Sequence, residues 1–393
     1  MSTPVLPAPA PRVFGLDVLR AMAIISVVGS HALPALYGHV PYLFFLGSGG
    51  FVGVELFFVL SGFLIGGILL RSGEELRHGG ELRGFYVRRW MRTLPLFWLF
   101  FAVNVAVEYA WHQHRVGWSE GLGHLFFVRT LWKINISFMP ESWSLAVEEW
   151  FYLLFPAALW LALQTKGKFD RIFLLTAAAF WTFSTVARTW VALDPATNWA
   201  SVERCVVIYR FDGLMMGIVA AWLAHRWPDA WRRHRRICAI AGGLLMLAMY
   251  ATGWHYLGGI TEHNEGFFVR SPRFTLLSLS FALLLPWAAN WSLARENFLS
   301  TAFRRIALWS YVLYLVHSPW NYLTVRLHFA NTGLVAGGLI FIFQFGGAIA
   351  VSALVYHWAE RPLMAWRERI SGWLKRRSGR KIRPAPPQPV APA

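Results

Sequence analysis

The feature that most constrains this chain is a series of apolar runs of about 20 residues, each long enough to cross a hydrocarbon core about 30 Å thick as an α-helix. Lipid offers backbone N–H and C=O groups no hydrogen-bonding partner, so runs of this length favour a helical bundle. We therefore predict an all-α polytopic membrane protein, a bundle of about ten transmembrane helices. The predicted spans are residues 16–36, 51–70, 94–109, 144–163, 172–193, 206–225, 237–257, 273–290, 306–327 and 334–358.

The composition agrees with a membrane environment and argues against a soluble nucleic-acid-binding protein. Hydrophobic residues make up 56% of the 393 residues, charged residues only 15%, and the mean hydropathy is +0.43. The formal net charge of +17 comes largely from basic residues between the apolar runs. In that position Lys and Arg face anionic lipid headgroups, so we expect the lipid bilayer as a partner and no nucleic acid.

The basic residues also predict the orientation. They concentrate in segments 71–92, 166–171, 226–236 and 295–305 and in the tail from Arg361. The alternate segments hold only Arg115, Arg129, Lys133, Arg204, Arg270 and Arg273. Because cytosolic loops carry the excess of Lys and Arg, both termini are predicted to be cytosolic and the protein to lie in the cell (inner) membrane.

The spans leave no polar segment long enough for a second domain. We predict one membrane domain over residues 12–370, a disordered N-terminus over 1–11, and a basic, Pro-rich disordered tail over 371–393. The Pro-rich start lacks the pattern of a cleaved signal peptide, so we expect the first hydrophobic helix to stay in the protein. The two cysteines are far apart, and we expect neither a disulfide nor a metal site.

Ionisable residues inside a span are costly, so each is a candidate functional residue unless another buried group pairs with it. Arg20 and His31 are eleven residues apart in the first span. In a helix they share one face, about 16 Å apart along the axis. Asp17 precedes Arg20 by three residues and joins that face. From the residues alone, His31 is equally a catalytic imidazole or a hydrogen-bonding partner of another helix.

Three arginines begin the third span. Arg88, Arg89 and Arg92 are predicted at the cytosolic start of the helix, where Arg89 and Arg92 share a face suited to a phosphate group. The alternative is that they only anchor the helix at the cytosolic headgroups.

A carboxylate face is predicted in the fourth span. Glu148 and Tyr152 share it with Ser144, whereas Glu149 is predicted to point elsewhere. Glu148 would orient an imidazole or bind sugar hydroxyls, or else it would pair with Arg188 or Arg210. The other candidates inside spans are Glu55, Ser61, Arg210, Asp212 and His317.

Together these segments, from Gly15 to Pro362, resemble the acyltransferase type 3 family of membrane-bound acyltransferases. The family's Arg-x10-His motif corresponds to Arg20 and His31, and its Arg-x-x-Arg motif to Arg89 and Arg92. The segments FFVLSGFL, SLAVEEWFYL, RFDGLMMG, SYVLYLVH and ERP match in the same order. The resemblance implies ten helices, acyl-CoA supplied from the cytosol, and acceptors that are often extracytoplasmic glycans.

The resemblance and the residues predict a membrane O-acyltransferase that moves an acyl group, expected to be acetyl, from acyl-CoA to a glycan hydroxyl. His31 is the predicted base. Arg88, Arg89 and Arg92 are predicted to hold the phosphates of coenzyme A, with Arg20 and Asp17 lining the passage inward. The alternatives are a transporter without acyl transfer, and an acyltransferase with a cytosolic small-molecule acceptor. No permanently bound cofactor is expected. Glu148 is predicted as the second catalytic residue, and substrate-binding or supporting roles are predicted for Asp17, Glu55, Ser61, Tyr152, Arg210, Asp212 and His317.

Overall fold

The computed structural model describes residues 13–37, 39–47, 49–112, 116–131, 138–257, 266–293, 295–325 and 333–377. The predicted disordered segment 1–11 lies outside the described residues, as does most of the predicted tail. Within the described part the regular structure is entirely helical, which confirms the predicted all-α class.

Ten long helices form the body of the part of the chain that the structure describes. They are α1 Phe14–Ala32, α2 Gly49–Ser72, α3 Gly80–Val107, α4 Ser142–Leu163, α5 Phe169–Ala192, α6 Phe211–Arg226, α7 Arg235–Leu257, α8 Pro272–Ala288, α9 Phe298–Val325 and α10 Leu334–Val355. A further helix, α11, spans Arg361–Arg377 and so covers residues 371–377 of the segment predicted to be disordered.

Shorter helical turns connect these elements. The α-helical ones are Pro34–Tyr37, Phe44–Gly47, Trp118–Leu125, Pro228–Arg233 and Phe267–Arg270. The 3-10 turns are Pro41–Leu43, Gly73–His78 and Val207–Tyr209, and two π-helical turns span Glu108–His112 and Tyr356–Glu360.

The ten predicted spans each overlap one of these long helices. In the described part, seven helical stretches are long and apolar enough to cross a membrane: Phe14–Ala32, Gly49–His78, Leu82–Ala110, Ser142–Leu163, Phe169–Ala192, Arg235–Thr252 and Leu334–Ile370. The protein is therefore a multi-pass membrane protein. The crossing of α6, α8 and α9 stays a prediction, because α6 and α8 are short and α9 carries many polar residues. The side that each terminus faces also stays a prediction.

The first helix lies at the centre of the arrangement that positions the site. It packs against α2 on one side and α9 on the other. Helices α2 and α6 approach so closely that a Cβ atom added at Gly62 or Gly217 would collide with the backbone of the partner helix. Small residues allow such backbone contact inside membrane bundles.

Helices α1 and α9 run in the same direction and α2 runs opposite to them, which brings distant residues to the same end of the bundle. The C-terminal end of α1 with His31 lies beside the C-terminal part of α9 with His317. The N-terminal turns of α2 and α4, with Phe51 and Trp143, lie at this end too. We refer to it as the His31 end.

Candidate active site

A pocket opens among α1, α2, α3, α4 and α9. Six of the residues predicted for the site line it: Arg20, Ser61, Arg89, Arg92, Glu148 and Tyr152. The remaining lining residues are Val54, Phe57, Phe58, Leu64, Thr93, Ser144, Leu145, Glu149, Ser310, Tyr311 and Tyr314. The structure thus brings together, from four helices, six of the thirteen residues selected from the sequence.

The pocket carries a positive wall. Arg89 is half-buried with its guanidinium carbon 4.3 Å from the centre of the Tyr152 ring, and Arg92 is exposed. Among the described residues neither has a carboxylate within ion-pair distance. Arg20 lies 3.9 Å from the carboxylate of Asp17, which is buried behind it. Arg89 is within electrostatic range of Glu149, and Arg92 of Glu360, but neither arginine forms an ion pair with a described carboxylate.

Arg88 does not join this wall. It precedes Arg89 directly, but it is absent from the pocket lining, and its side chain lies back along its own helix beside Gly84. The helical rotation of about 100° per residue turns it away from the face that Arg89 and Arg92 share.

Opposite the arginines the pocket presents a hydrogen-bonded carboxylate. Glu148 accepts a 2.8 Å hydrogen bond from the Ser61 hydroxyl and a 2.6 Å hydrogen bond from the Tyr152 hydroxyl. It is bonded to neither Arg188 nor Arg210, nor to the imidazole of His31. Glu149 was predicted to point elsewhere and instead lines the same pocket. The pocket therefore holds two adjacent carboxyl groups.

The two histidines lie together beyond the pocket. The His31 ring is exposed, and its centre lies 5.0 Å from that of His317, which is buried. His317 Nδ1 donates a 2.7 Å hydrogen bond to the carbonyl oxygen of Tyr314. That bond makes Nδ1 the protonated nitrogen of a neutral ring, so Nε2 carries a lone pair. His317 Nε2 is buried and has no hydrogen-bond partner among the described residues.

Two hydrogen-bonded side chains, Ser144 and Tyr314, lie between the pocket and the histidines. The hydroxyls of Ser144 and Tyr314 are 2.5 Å apart, and the Tyr314 hydroxyl also lies 3.0 Å from the carbonyl oxygen of Glu141. The Tyr314 ring centre is 5.5 Å from that of His317. Ser144 and Tyr314 line the pocket, so they form its wall toward the His31 end.

Three of the predicted residues, Glu55, Arg210 and Asp212, form a different cluster together with Arg188. Arg210 donates a hydrogen bond to Glu55, and Arg188 pairs with Asp212 at 2.9 Å. All four side chains are buried. The hydroxyls of Ser278 and Thr275 donate to Glu55 and Asp212 at 3.2 and 3.0 Å. These charges are balanced within the bundle, which favours a structural role over substrate binding.

Sequence reasoning missed several lining residues, namely Thr93, Ser144 as a wall residue, Glu149, Tyr311 and Tyr314. The segment SYVLYLVH held the relevant pattern, since Tyr311, Tyr314 and His317 repeat at intervals of three along one face of α9. The hydroxyl groups on that stripe distinguish it from an ordinary apolar packing face.

Comparisons with known proteins agree with this geometry. The sequence model of a protein family described as an acyltransferase domain matches residues 13–357. The chain is 28% identical over 365 residues to the peptidoglycan O-acetyltransferase OatA of Listeria monocytogenes. The aligned region covers 88% of this chain and 55% of the relative. It is 25% identical over 378 residues to "Putative peptidoglycan O-acetyltransferase YrhL" of Bacillus subtilis, covering 89% of this chain and 54% of the relative. The chain thus spans about half the length of these two curated relatives. No solved structure matches it.

Proposed function

The chain belongs to the membrane acyltransferase family defined by that acyltransferase domain, and on this premise we propose that it transfers acetyl from acetyl-CoA to a glycan hydroxyl across the membrane. The donor enters from the cytosolic side, and the acceptor hydroxyl lies at the His31 end. The observation that carries the proposal is the pair Arg89 and Arg92, which forms no ion pair with a described carboxylate and lines a pocket ending near two histidines.

The arginine pair supports a phosphate-bearing donor. Arg89 is half-buried, and a cation in that position without an ion pair is costly unless a ligand supplies the negative charge. Guanidinium groups match phosphate oxygens in geometry, and such charge-assisted bonds are the stronger ones. Coenzyme A combines phosphates with a long thin arm, so its charged part can stay at the arginines while its thioester reaches farther into the bundle.

His31 is assigned as the general base. It accepts the proton of the acceptor hydroxyl as that oxygen attacks the thioester carbonyl carbon. The new C–O bond forms, the C–S bond breaks, and the proton passes to the departing thiolate of coenzyme A. His317 is assigned as the positioning residue, because the lone pair on its Nε2 can accept the N–H of His31 and fix its tautomer.

The acceptor is assigned as an extracytoplasmic glycan. Both relatives named above are described as acting on peptidoglycan. Glu148 accepts hydrogen bonds from the hydroxyls of Ser61 and Tyr152. We assign it to the pocket region between donor and acceptor, where its carboxylate binds hydroxyl groups.

The test uses purified protein in proteoliposomes, with labelled acetyl-CoA on one side and N-acetylglucosamine oligosaccharides on the other. We expect release of coenzyme A together with label on the sugar. His31→Gln should lower this rate by about 10²–10⁴-fold, since the amide cannot take up the proton. His225→Gln serves as the matched control, because His225 is exposed on α6 and outside the pocket.

Acetylation only of sugars on the donor side would replace the transmembrane reaction with a cytosolic one. Full activity of His31→Gln at normal expression would remove His31 from the chemistry.

A further inference from the structure

Another arginine, Arg204, lies at the His31 end, outside the pocket. Arg204 belongs to the segment between α5 and α6, and its side chain is half-buried. Its guanidinium carbon lies 5.8 Å from the ring centre of Phe51 and 5.6 Å from that of Trp143. Aromatic faces on either side hold a guanidinium in place without neutralising its charge.

The backbone at Arg204 is fixed. Its N–H donates to the carbonyl oxygen of Trp199 at 3.0 Å, and its own carbonyl oxygen accepts a 3.2 Å hydrogen bond from the buried Arg210. The guanidinium is therefore carried on a segment that is tied to the charge-balanced core.

Arg204 differs from its neighbours in having no acidic partner. Arg188 and Arg210 pair with Asp212 and Glu55. The adjacent acid, Glu203, is buried and bonded instead to Arg270, whose Nε donates to it at 2.8 Å. In the described part of the chain the Arg204 guanidinium has no hydrogen bond or ion pair, and its Nε is buried. A donor left in that state costs free energy unless a ligand accepts from it.

Arg204 also lies close to the proposed chemistry. It is within electrostatic range of the His31 imidazole and the Tyr314 hydroxyl. An anion bound to it would therefore lie beside the group assigned to activate the acceptor.

We propose that Arg204 binds a carboxylate of the acceptor, so that the protein prefers glycans with an acidic sugar next to the acylated hydroxyl. This inference rests on the proposed function, because only that function requires an acceptor. It adds the chemical class of the acceptor. Guanidinium and carboxylate pair through two parallel N–H···O bonds, which would orient the sugar as well as hold it.

The test measures binding without catalysis. Equilibrium dialysis of the purified protein compares labelled methyl β-glucuronide with methyl β-glucoside, which differ at the carboxylate. We expect the wild-type protein to bind the glucuronide at least about tenfold more tightly, which corresponds to about 1.4 kcal/mol. Arg204→Gln should bind both sugars equally, and Arg204→Lys should keep part of the preference because it keeps the charge.

Two controls separate this site from other causes. Arg129→Gln removes a half-buried arginine of the same end that also lacks an acidic partner among the described residues, and it should keep the preference. His31→Gln should keep it as well, so that loss of transfer and loss of acidic-sugar binding remain distinguishable. Equal binding of the two sugars by the wild-type protein, or a preference that survives in a folded Arg204→Gln variant, would overturn the proposal.

Discussion

Two groups of arginines in this bundle differ in what surrounds their charge. Arg188 and Arg210 are fully buried, and each has a buried carboxylate in contact. Arg89 and Arg92 line a pocket and have no such partner among the described residues. Membrane burial makes every charge costly, so pairing inside the protein indicates a structural role and the lack of a partner indicates a ligand. Position in the sequence does not separate the two groups, whereas their partners do.

The largest expected effect tests the paired group. Arg210→Met leaves Glu55 buried without its cation, and we expect the free energy of unfolding to fall by about 3–5 kcal/mol. Chemical unfolding in detergent micelles, followed by tryptophan fluorescence, measures it. The double variant Glu55→Leu with Arg210→Met removes both charges and should recover most of the loss. A stable single variant with weakened donor binding would place Arg210 in the other group.

The next effect tests the unpaired group. Arg89→Ala and Arg92→Ala should each weaken acetyl-CoA binding by about 1.5–3 kcal/mol, the size of a hydrogen bond to a charged group. Their free energy of unfolding should stay within about 0.5 kcal/mol of the wild type. Calorimetric titration with acetyl-CoA and the same unfolding assay measure the two quantities. Unchanged donor affinity in the double variant would leave both arginines with an anchoring role only.

A smaller effect concerns an acid that lacks a cation. Glu141 precedes α4, is buried, and has no ion pair among the described residues. Burial raises the pKa of Glu141 to about 7. The folded state therefore binds more protons than the unfolded state between about pH 4.5 and 7, and this contribution to stability is lost as pH rises through that range.

Glu141→Gln should accordingly be more stable than the wild type at pH 8, by about 1–3 kcal/mol, and nearly equal to it at pH 4.5. Unfolding midpoints at the two pH values give the comparison. A difference that does not depend on pH would mean that the carboxyl does not titrate in this range.

The smallest effect is expected at Arg88. It is adjacent to Arg89 in sequence but lies outside the pocket. Arg88→Ala should change acetyl-CoA affinity by less than about twofold, since its side chain lies beside Gly84 and not in the pocket lining. A loss as large as that of Arg89→Ala would show that the donor extends beyond the pocket wall.

Helical periodicity accounts for the parts of the site that the sequence predicted. Residues that share a face in a helix, such as Arg89 and Arg92, were predicted together and lie together. The miss at Glu149 has a geometric reason. Helix α4 contributes Ser144, Leu145, Glu148, Glu149 and Tyr152 to the pocket. Two adjacent residues on each of its first two turns therefore face the pocket, whereas the prediction assumed one residue per turn.

Partner choice could not be predicted from one sequence. Arg210 contacts Glu55, 155 residues earlier, and nothing local distinguishes Glu55 from Glu148 as its partner. The extent of α3 was also missed. The helix begins at Gly80 with polar turns that lead without a break into the apolar run. A prediction based on hydropathy starts the span only at residue 94, where the apolar run begins.

The hydrogen bond between Ser144 and Tyr314 has a consequence for the membrane itself. A bundle with a polar pocket on one side and a water-accessible imidazole on the other approaches a continuous aqueous path. Such a path would conduct protons, and each elementary charge that crosses a potential of 100 mV releases about 2.3 kcal/mol of stored energy. With the two hydroxyls 2.5 Å apart, no water fits between them. Their contact closes the path at this point. Under the proposed function it opens only while the thin arm of the donor occupies the gap and takes the place of water.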